Sequence, residues 1–160
     1  MEAEATRWPA KVLTVSDGVA HGRREDKSGP ALADRLTEAG FRVVDRQIVA
    51  DGGAQVASAL RRMADGFNGL IVTTGGTGFG PRDLTPEGTR AAIDREAPGL
   101  AEAMRTANPH GRLSRAIAGT IGPVLVLNTP GSPKGALEYV DAVLDVVPHA
   151  LELLRGDHPH

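Results

Sequence analysis

Apolar residues along this chain fall into two alternating kinds of run. Val12, Leu13 and Val15 lie within residues 11–16, Val43-Val44 and Ile48-Val49 within residues 41–49, and Leu70-Ile71-Val72 within residues 70–73. Each run is short, rich in β-branched residues and closed by Ser, Asp or Gly, which predicts three strands. Between them the spacing lengthens to three and four. Leu32 and Leu36 predict a helix opened by Gly29-Pro30 and ended at Gly40, and Val56, Leu60 and Met63 predict a second ending near Gly66. Residues 19–28 are charged and glycine-bearing and predict a long loop. Beyond the third strand, residues 86–95 and 98–107 predict two helices separated at Ala97-Pro98, because proline disfavours helix in the residue before it. Residues 114–120 and 123–127 predict two strands joined as a hairpin through Gly122. Leu137, Val140, Leu144, Val147, Leu151 and Leu154 predict one long final helix, kinked at Pro148. The succession gives a layered α/β domain with a mostly parallel sheet over residues 11–155, flanked by a loose leader, residues 1–10, and a short tail, residues 156–160.

Composition narrows the picture. A chain of 160 residues with 41% hydrophobic and 24% charged residues suits one globular domain, and 20 glycines with 11 prolines argue against a helical bundle. The absence of cysteine excludes disulfides, thiolate catalysis and cysteine-ligated zinc. The N-terminus Met1-Glu2-Ala3-Glu4-Ala5 has neither the basic nor the apolar region of an export signal, and no apolar run approaches the roughly 18 residues of a membrane span. A soluble, cytoplasmic protein is expected. A net charge of −2 and 3% aromatic residues leave no basic field and little stacking surface, so neither nucleic acid nor membrane is an expected partner.

Candidate chemistry gathers where strands end, which is where open parallel sheets bind ligands. Strand one ends at Ser16-Asp17, strand two at Asp51, strand three at Gly75-Gly76-Thr77-Gly78-Phe79-Gly80 followed by Asp83, and the strand before the last helix at Asn128-Thr129-Pro130-Gly131. The glycines expose backbone N–H groups, and Thr85-Pro86 reads as an N-cap followed by the first helical residue, so the segment is built for an anion. It is no Walker A loop, since Pro81-Arg82 follows Gly80 where Lys-Ser/Thr is needed. It is no dinucleotide fingerprint either, because the required glycine is replaced by Pro81. That failure weakens the reading as an NAD-binding oxidoreductase.

Asp83 either serves a helix N-terminus and pairs with an arginine, or binds a cation. Asp51 is either a turn former before Gly52-Gly53 or a second ligand of that cation. Together they suit Mg²⁺ bound with phosphate. Ser16, Thr77 and Ser114 are turn caps or donors to a ligand, Asn128 is a turn residue or a reader of a heterocycle edge, and Lys134 is exposed or a phosphate contact. Scattered histidines and the lack of a G-x-S-x-G elbow argue against histidine-bound metal and a catalytic serine.

Thr74-Gly75-Gly76-Thr77-Gly78, Arg82-Asp83-Leu84-Thr85-Pro86-Glu87, Leu113-Ser114-Arg115 with Ala118-Gly119, and Asn128-Thr129-Pro130-Gly131-Ser132-Pro133-Lys134 resemble, in order and spacing, the MogA/MoaB family of molybdenum cofactor biosynthesis proteins. Val15-Ser16-Asp17 and Pro148-His149 fit the same pattern, and the likeness spans about residues 11–155. The resemblance implies a three-layer αβα sandwich and a homotrimer. It also implies Mg²⁺-dependent adenylylation of molybdopterin by ATP, with pyrophosphate released ahead of metal insertion by a downstream protein; some relatives keep the fold without clear activity. It makes Asp51 and Asp83 the catalytic, metal-binding carboxylates. Ser16, Asp17, Gly75, Gly76, Thr77, Gly78, Ser114, Asn128, Pro130 and Gly131 become the substrate-binding set. The chain departs from the pattern at Ala50-Asp51-Gly52, where many enzymatic relatives have Pro-Asp-Glu, and keeps the carboxylate.

Overall fold

A computed structural model of the chain describes residues 7–156. Six strands, β1 (Pro9–Val15), β2 (Arg42–Val49), β3 (Leu70–Thr74), β4 (Arg95–Glu96), β5 (Ala118–Ile121) and β6 (Val124–Thr129), form one sheet in the order β2-β1-β3-β6-β5-β4. The β2-β1, β1-β3 and β3-β6 pairs are parallel, whereas β6-β5 and β5-β4 are antiparallel. Among the described residues seven helices accompany it: α1 (Asp17–Ala20), α2 (Ser28–Glu38), α3 (Gly53–Ala64), α4 (Thr85–Ala92), α5 (Pro98–Arg105), α6 (Pro133–Asp141) and α7 (Val147–Arg155).

The central strands β1, β3 and β6 are apolar on both faces, and their two-residue period divides the core in two. Val12, Leu70, Val72, Leu125 and Leu127 pack with Leu32 and Leu36 of α2, Met104 of α5, Tyr139 and Val140 of α6 and Leu151 of α7. Leu13, Val15, Ile71, Val124 and Val126 face the other way, against Val56, Leu60 and Met63 of α3. This is the three-layer αβα arrangement with a mixed sheet, as expected. Trp8 is buried and β1 starts at Pro9, two residues before the predicted strand.

Several details differ from the pattern read off the chain. The long loop predicted over residues 19–28 is entered by the one-turn helix α1, whose Val19 amide donates to Ser16 Oγ (3.2 Å). The helix predicted over residues 86–95 stops at Ala92, because Asp94 turns its carboxylate onto the Thr120 hydroxyl (2.6 Å) and the Gly122 amide (2.7 Å) and draws Arg95-Glu96 into the sheet as β4. The strand predicted over residues 114–120 starts only at Ala118; a 3-10 turn, Pro109–Leu113, and an extended stretch precede it. The single kinked final helix is two helices, with Pro148 in the first turn of α7, where its missing N–H leaves no helical bond unmade.

Candidate functional site

β1, β2, β3 and β6 run in one direction, so their carboxyl ends open on a common edge. At the end of β3 the chain enters the glycine segment with positive φ at Gly75 (103°) and Gly76 (71°). A β-carbon on Gly75 would lie 2.2 Å from the Val15 carbonyl oxygen, and one on Gly76 would lie 2.2 Å from Thr85 Oγ1. Only glycine permits this approach. Thr85, predicted as an N-cap, is instead the first residue of α4 and fully buried; its hydroxyl donates to the Gly75 carbonyl (2.8 Å) and its amide to the Gly76 carbonyl (3.0 Å). The helix is thereby fastened to the loop, and the backbone N–H groups of Gly76, Thr77 and Gly78 make no hydrogen bond to any described residue.

Arg115 holds the far side of this loop. Its amide donates to the Thr77 carbonyl (2.9 Å), Nε to the Gly78 carbonyl (2.9 Å), Nη2 to the Asp83 carbonyl, and Nη1 to Glu87 (2.5 Å). The hydrogen bond and charge of this guanidinium hold the Glu87 carboxyl below the usual carboxylate range.

The acidic groups lie across the loop from one another. Asp83 Oδ2 accepts the Gly80 amide (2.9 Å), which folds its carboxylate over the glycines: a β-carbon on Gly78 would come within 3.1 Å of the same oxygen. Asp51 and Asp17 exchange hydrogen bonds, the Asp17 amide donating to Asp51 Oδ2 (2.9 Å) and the Asp51 amide to Asp17 Oδ1 (3.1 Å). Arg82 forks onto Asp17 through Nε (2.6 Å) and Nη2 (3.1 Å), which lowers the Asp17 carboxyl from its ordinary range. Burial, together with the charges of Asp17 and Asp83, pushes the Asp51 carboxyl up. Asp51 and Asp83 line the same cavity.

Two cavities meet here. One, of about 620 Å³, is lined by Ser16, Arg24, Lys27, Asp51, Gly75 and Gly76; the other, of about 610 Å³, by Thr77, Gly78, His110, Ser114, Pro130 and Lys134. Gly76, Asp83, Gly131 and Ser132 line both and form the junction. Gly131 and Ser132 precede α6, whose N-terminus abuts the junction with Ser132 Oγ capping the Gly135 amide (3.1 Å). Unpaired amides and a helix N-terminus favour an anion at this point.

Two expected binding residues line neither cavity. Asp17 is bound up with Arg82 and Asp51. Asn128 is fully buried: its Nδ2 donates to the hydroxyls of Thr73 (3.0 Å) and Thr89 (3.0 Å), and its Oδ1 accepts the Ile117 amide (3.2 Å). A side chain with both donors engaged inside the fold does not read a heterocycle. Asn128 therefore joins β3, α4 and the segment before β5 beneath the site. Asn128→Ala is expected to cost about 2–3 kcal/mol by stranding buried partners. Urea unfolding monitored by circular dichroism measures this loss, and ligand affinity of the folded fraction should not change. Arg24, Lys27 and His110 escaped the sequence reading, because polar residues in loops and turns carry no periodic signal.

The donor set at the junction suits a small hard cation. Oδ1 of Asp51 and Oδ1 of Asp83 accept no hydrogen bond from any described residue. No group of three or more metal-binding side chains occurs among the described residues. Mg²⁺ asks for no more than this, one or two carboxylates with phosphate and water completing its shell.

Residues 11–149 match the family described as "Probable molybdopterin binding domain". The chain is 36% identical over 154 residues to the molybdopterin adenylyltransferase of Helicobacter pylori, covering 92% of this chain and 88% of that protein. It is 35% identical to a molybdenum cofactor biosynthesis bifunctional protein of Synechococcus elongatus, covering 93% of this chain and 48% of that one. The crystal structure of the molybdopterin biosynthesis enzyme MoaB from Thermus thermophilus superposes with a TM-score of 0.88 at 46% identity, covering 93% of this chain and 97% of that one. Shared sequence over nearly the whole domain and the same fold lead to one assignment: the chain belongs to the MogA/MoaB family of molybdenum cofactor biosynthesis proteins.

Proposed function

We propose that the protein is a molybdopterin adenylyltransferase, transferring AMP from ATP to the terminal phosphate of molybdopterin and releasing pyrophosphate. The observation that carries this reading is the pair of similar-sized cavities meeting at Asp83, Gly76 and Gly131, with Asp51 on one wall. Two substrates that must bring phosphate against phosphate require such a junction. The name of the Helicobacter pylori relative supports it.

The reaction asks little covalent chemistry of the protein. A phosphate oxygen of the pterin attacks the α-phosphorus of ATP, and the bond from that phosphorus to the bridging oxygen breaks, so that pyrophosphate carries the electron pair away. Alignment and charge neutralisation supply most of the acceleration. The free amides of Gly76, Thr77 and Gly78 orient phosphate oxygens at the junction, and Ser114 and Lys134 contact the substrate in the second cavity. Asp51 and Asp83 would hold Mg²⁺, which would offset the negative charge of the triphosphate. The same reading makes the protein a cytoplasmic homotrimer that hands its product to a molybdenum-insertion protein. The Synechococcus relative, a bifunctional chain about half spanned by this one, supports the handover.

The test uses ATP labelled at its α-phosphate, with Mg²⁺ and molybdopterin. Label should appear on the pterin with one pyrophosphate released per transfer, and chelation of divalent cations should stop both. Pterin bound without transfer would instead assign a non-catalytic binding protein of the same family.

A further inference from the structure

Arg82 and Asp17 stand 65 residues apart, yet both make contacts that end on one residue, Asp51. Asp51 is held at three points: its amide by Asp17 Oδ1 (3.1 Å), its carbonyl by Arg82 Nη2 (2.9 Å), and its Oδ2 by the Asp17 amide (2.9 Å). Asp51 Oδ1 is left toward the glycine loop, 3.3 Å from where a β-carbon of Gly76 would stand. Arg82 is also the covalent neighbour of Asp83. One guanidinium therefore fixes the end of β2 and the loop that carries the second acidic group.

Stability does not account for this arrangement. The Arg82 side chain is 60% exposed, and exposed ion pairs add little to folding. Arg35–Asp141, at 2.7 Å between α2 and α6, is an ion pair of the same type that touches no part of the site. What distinguishes Arg82 is the planar fork, which engages Asp17 twice and the Asp51 backbone once, a geometry lysine cannot reproduce. Asp17, expected to bind substrate, lies outside both cavities.

We infer that the Asp17–Arg82 pair is a positioning strut that sets the spacing of the Asp51 and Asp83 carboxylates. The inference rests on the adenylyl-transfer reading and adds to it two residues that act through others. Neither touches substrate.

Amide hydrogen exchange followed by NMR tests the strut without ligand or turnover, in Asp17→Asn, Arg82→Lys, Arg82→Met and, as control, Arg35→Met. Asp17→Asn should speed exchange at the Asp83 and Gly80 amides at least about tenfold, although Asp17 bonds to neither, and Arg82→Met should do the same at the Asp51 amide. In the labelled-ATP assay both variants should lose about tenfold or more in kcat, with KM for the pterin within about threefold of wild type. Arg82→Lys should recover part of that loss, and Arg35→Met should match wild type throughout. Unchanged exchange at Asp83 and Gly80 in Asp17→Asn overturns the strut. Altered exchange with undiminished kcat overturns its part in the reaction, and a lowered melting temperature tracking the loss reduces the pair to a structural one. A wild-type protein that makes no adenylylated pterin but shows the coupled exchange refutes the proposed activity and leaves the strut standing.

Discussion

Asp83→Ala and Asp51→Ala are each expected to lower the rate of adenylyl transfer about 10²–10³-fold while pterin affinity stays within about threefold. The asymmetry follows from position. With the pterin in the second cavity, which Asp83 reaches and Asp51 does not, most of the surface that binds it is untouched by either change. What is lost is the charge arrangement at the junction, which matters when negative charge builds on the departing pyrophosphate. Burial and the neighbouring carboxylates of Asp17 and Asp83 oppose the ionisation of Asp51. Rapid-quench measurement of single turnovers, with equilibrium titration of the pterin alone, separates the two effects. Parallel loss of binding and rate in either variant would indicate a collapsed cavity.

Gly75→Ala is expected to destabilise the protein by about 3 kcal/mol, lowering its melting temperature by roughly 6–12 °C. Two costs combine. The residue would be held at φ 103°, outside the range an alanine prefers, and its methyl carbon would press to 2.2 Å from the Val15 carbonyl oxygen. Val15 ends β1, the strand paired with β3, so relief of the clash means parting two central strands at their functional end. Gly22→Ala is the matched comparison: its φ is 73° but nothing lies within 4 Å of the added carbon, so only the conformational cost of about 1 kcal/mol remains. Differential scanning calorimetry on the two variants measures the difference.

Much of the fold was legible because its period is local. Val12, Leu13 and Val15, and Leu70 to Val72, read as strands, and the structure places their alternate residues against two helix layers. β4 was invisible: Arg95 and Glu96 are both exposed, and they join the sheet only because Asp94 finds Thr120 and Gly122 far along the chain. The break between α6 and α7 was hidden for the opposite reason. Leu137, Val140, Leu144, Val147 and Leu151 keep helical spacing across it, since both helices press the same core. Within the site, the glycine loop and the places where strands end were readable as a convergence of motifs, and the parallel topology brings them together. The roles of Asp17 and Asn128 were not readable. Their partners lie 34 and 65, or 55 and 39, residues away, so whether each faces a ligand or a neighbour is decided by tertiary contacts alone.

Crystals grown with Mn²⁺ in place of Mg²⁺ and a non-hydrolysable ATP analogue give the most direct view of the junction. Anomalous scattering should place one Mn²⁺ between the carboxylates of Asp51 and Asp83, with the α-phosphate of the analogue beside the amides of Gly76 to Gly78. Manganese bound elsewhere, or a triphosphate running away from Asp83, would contradict the account.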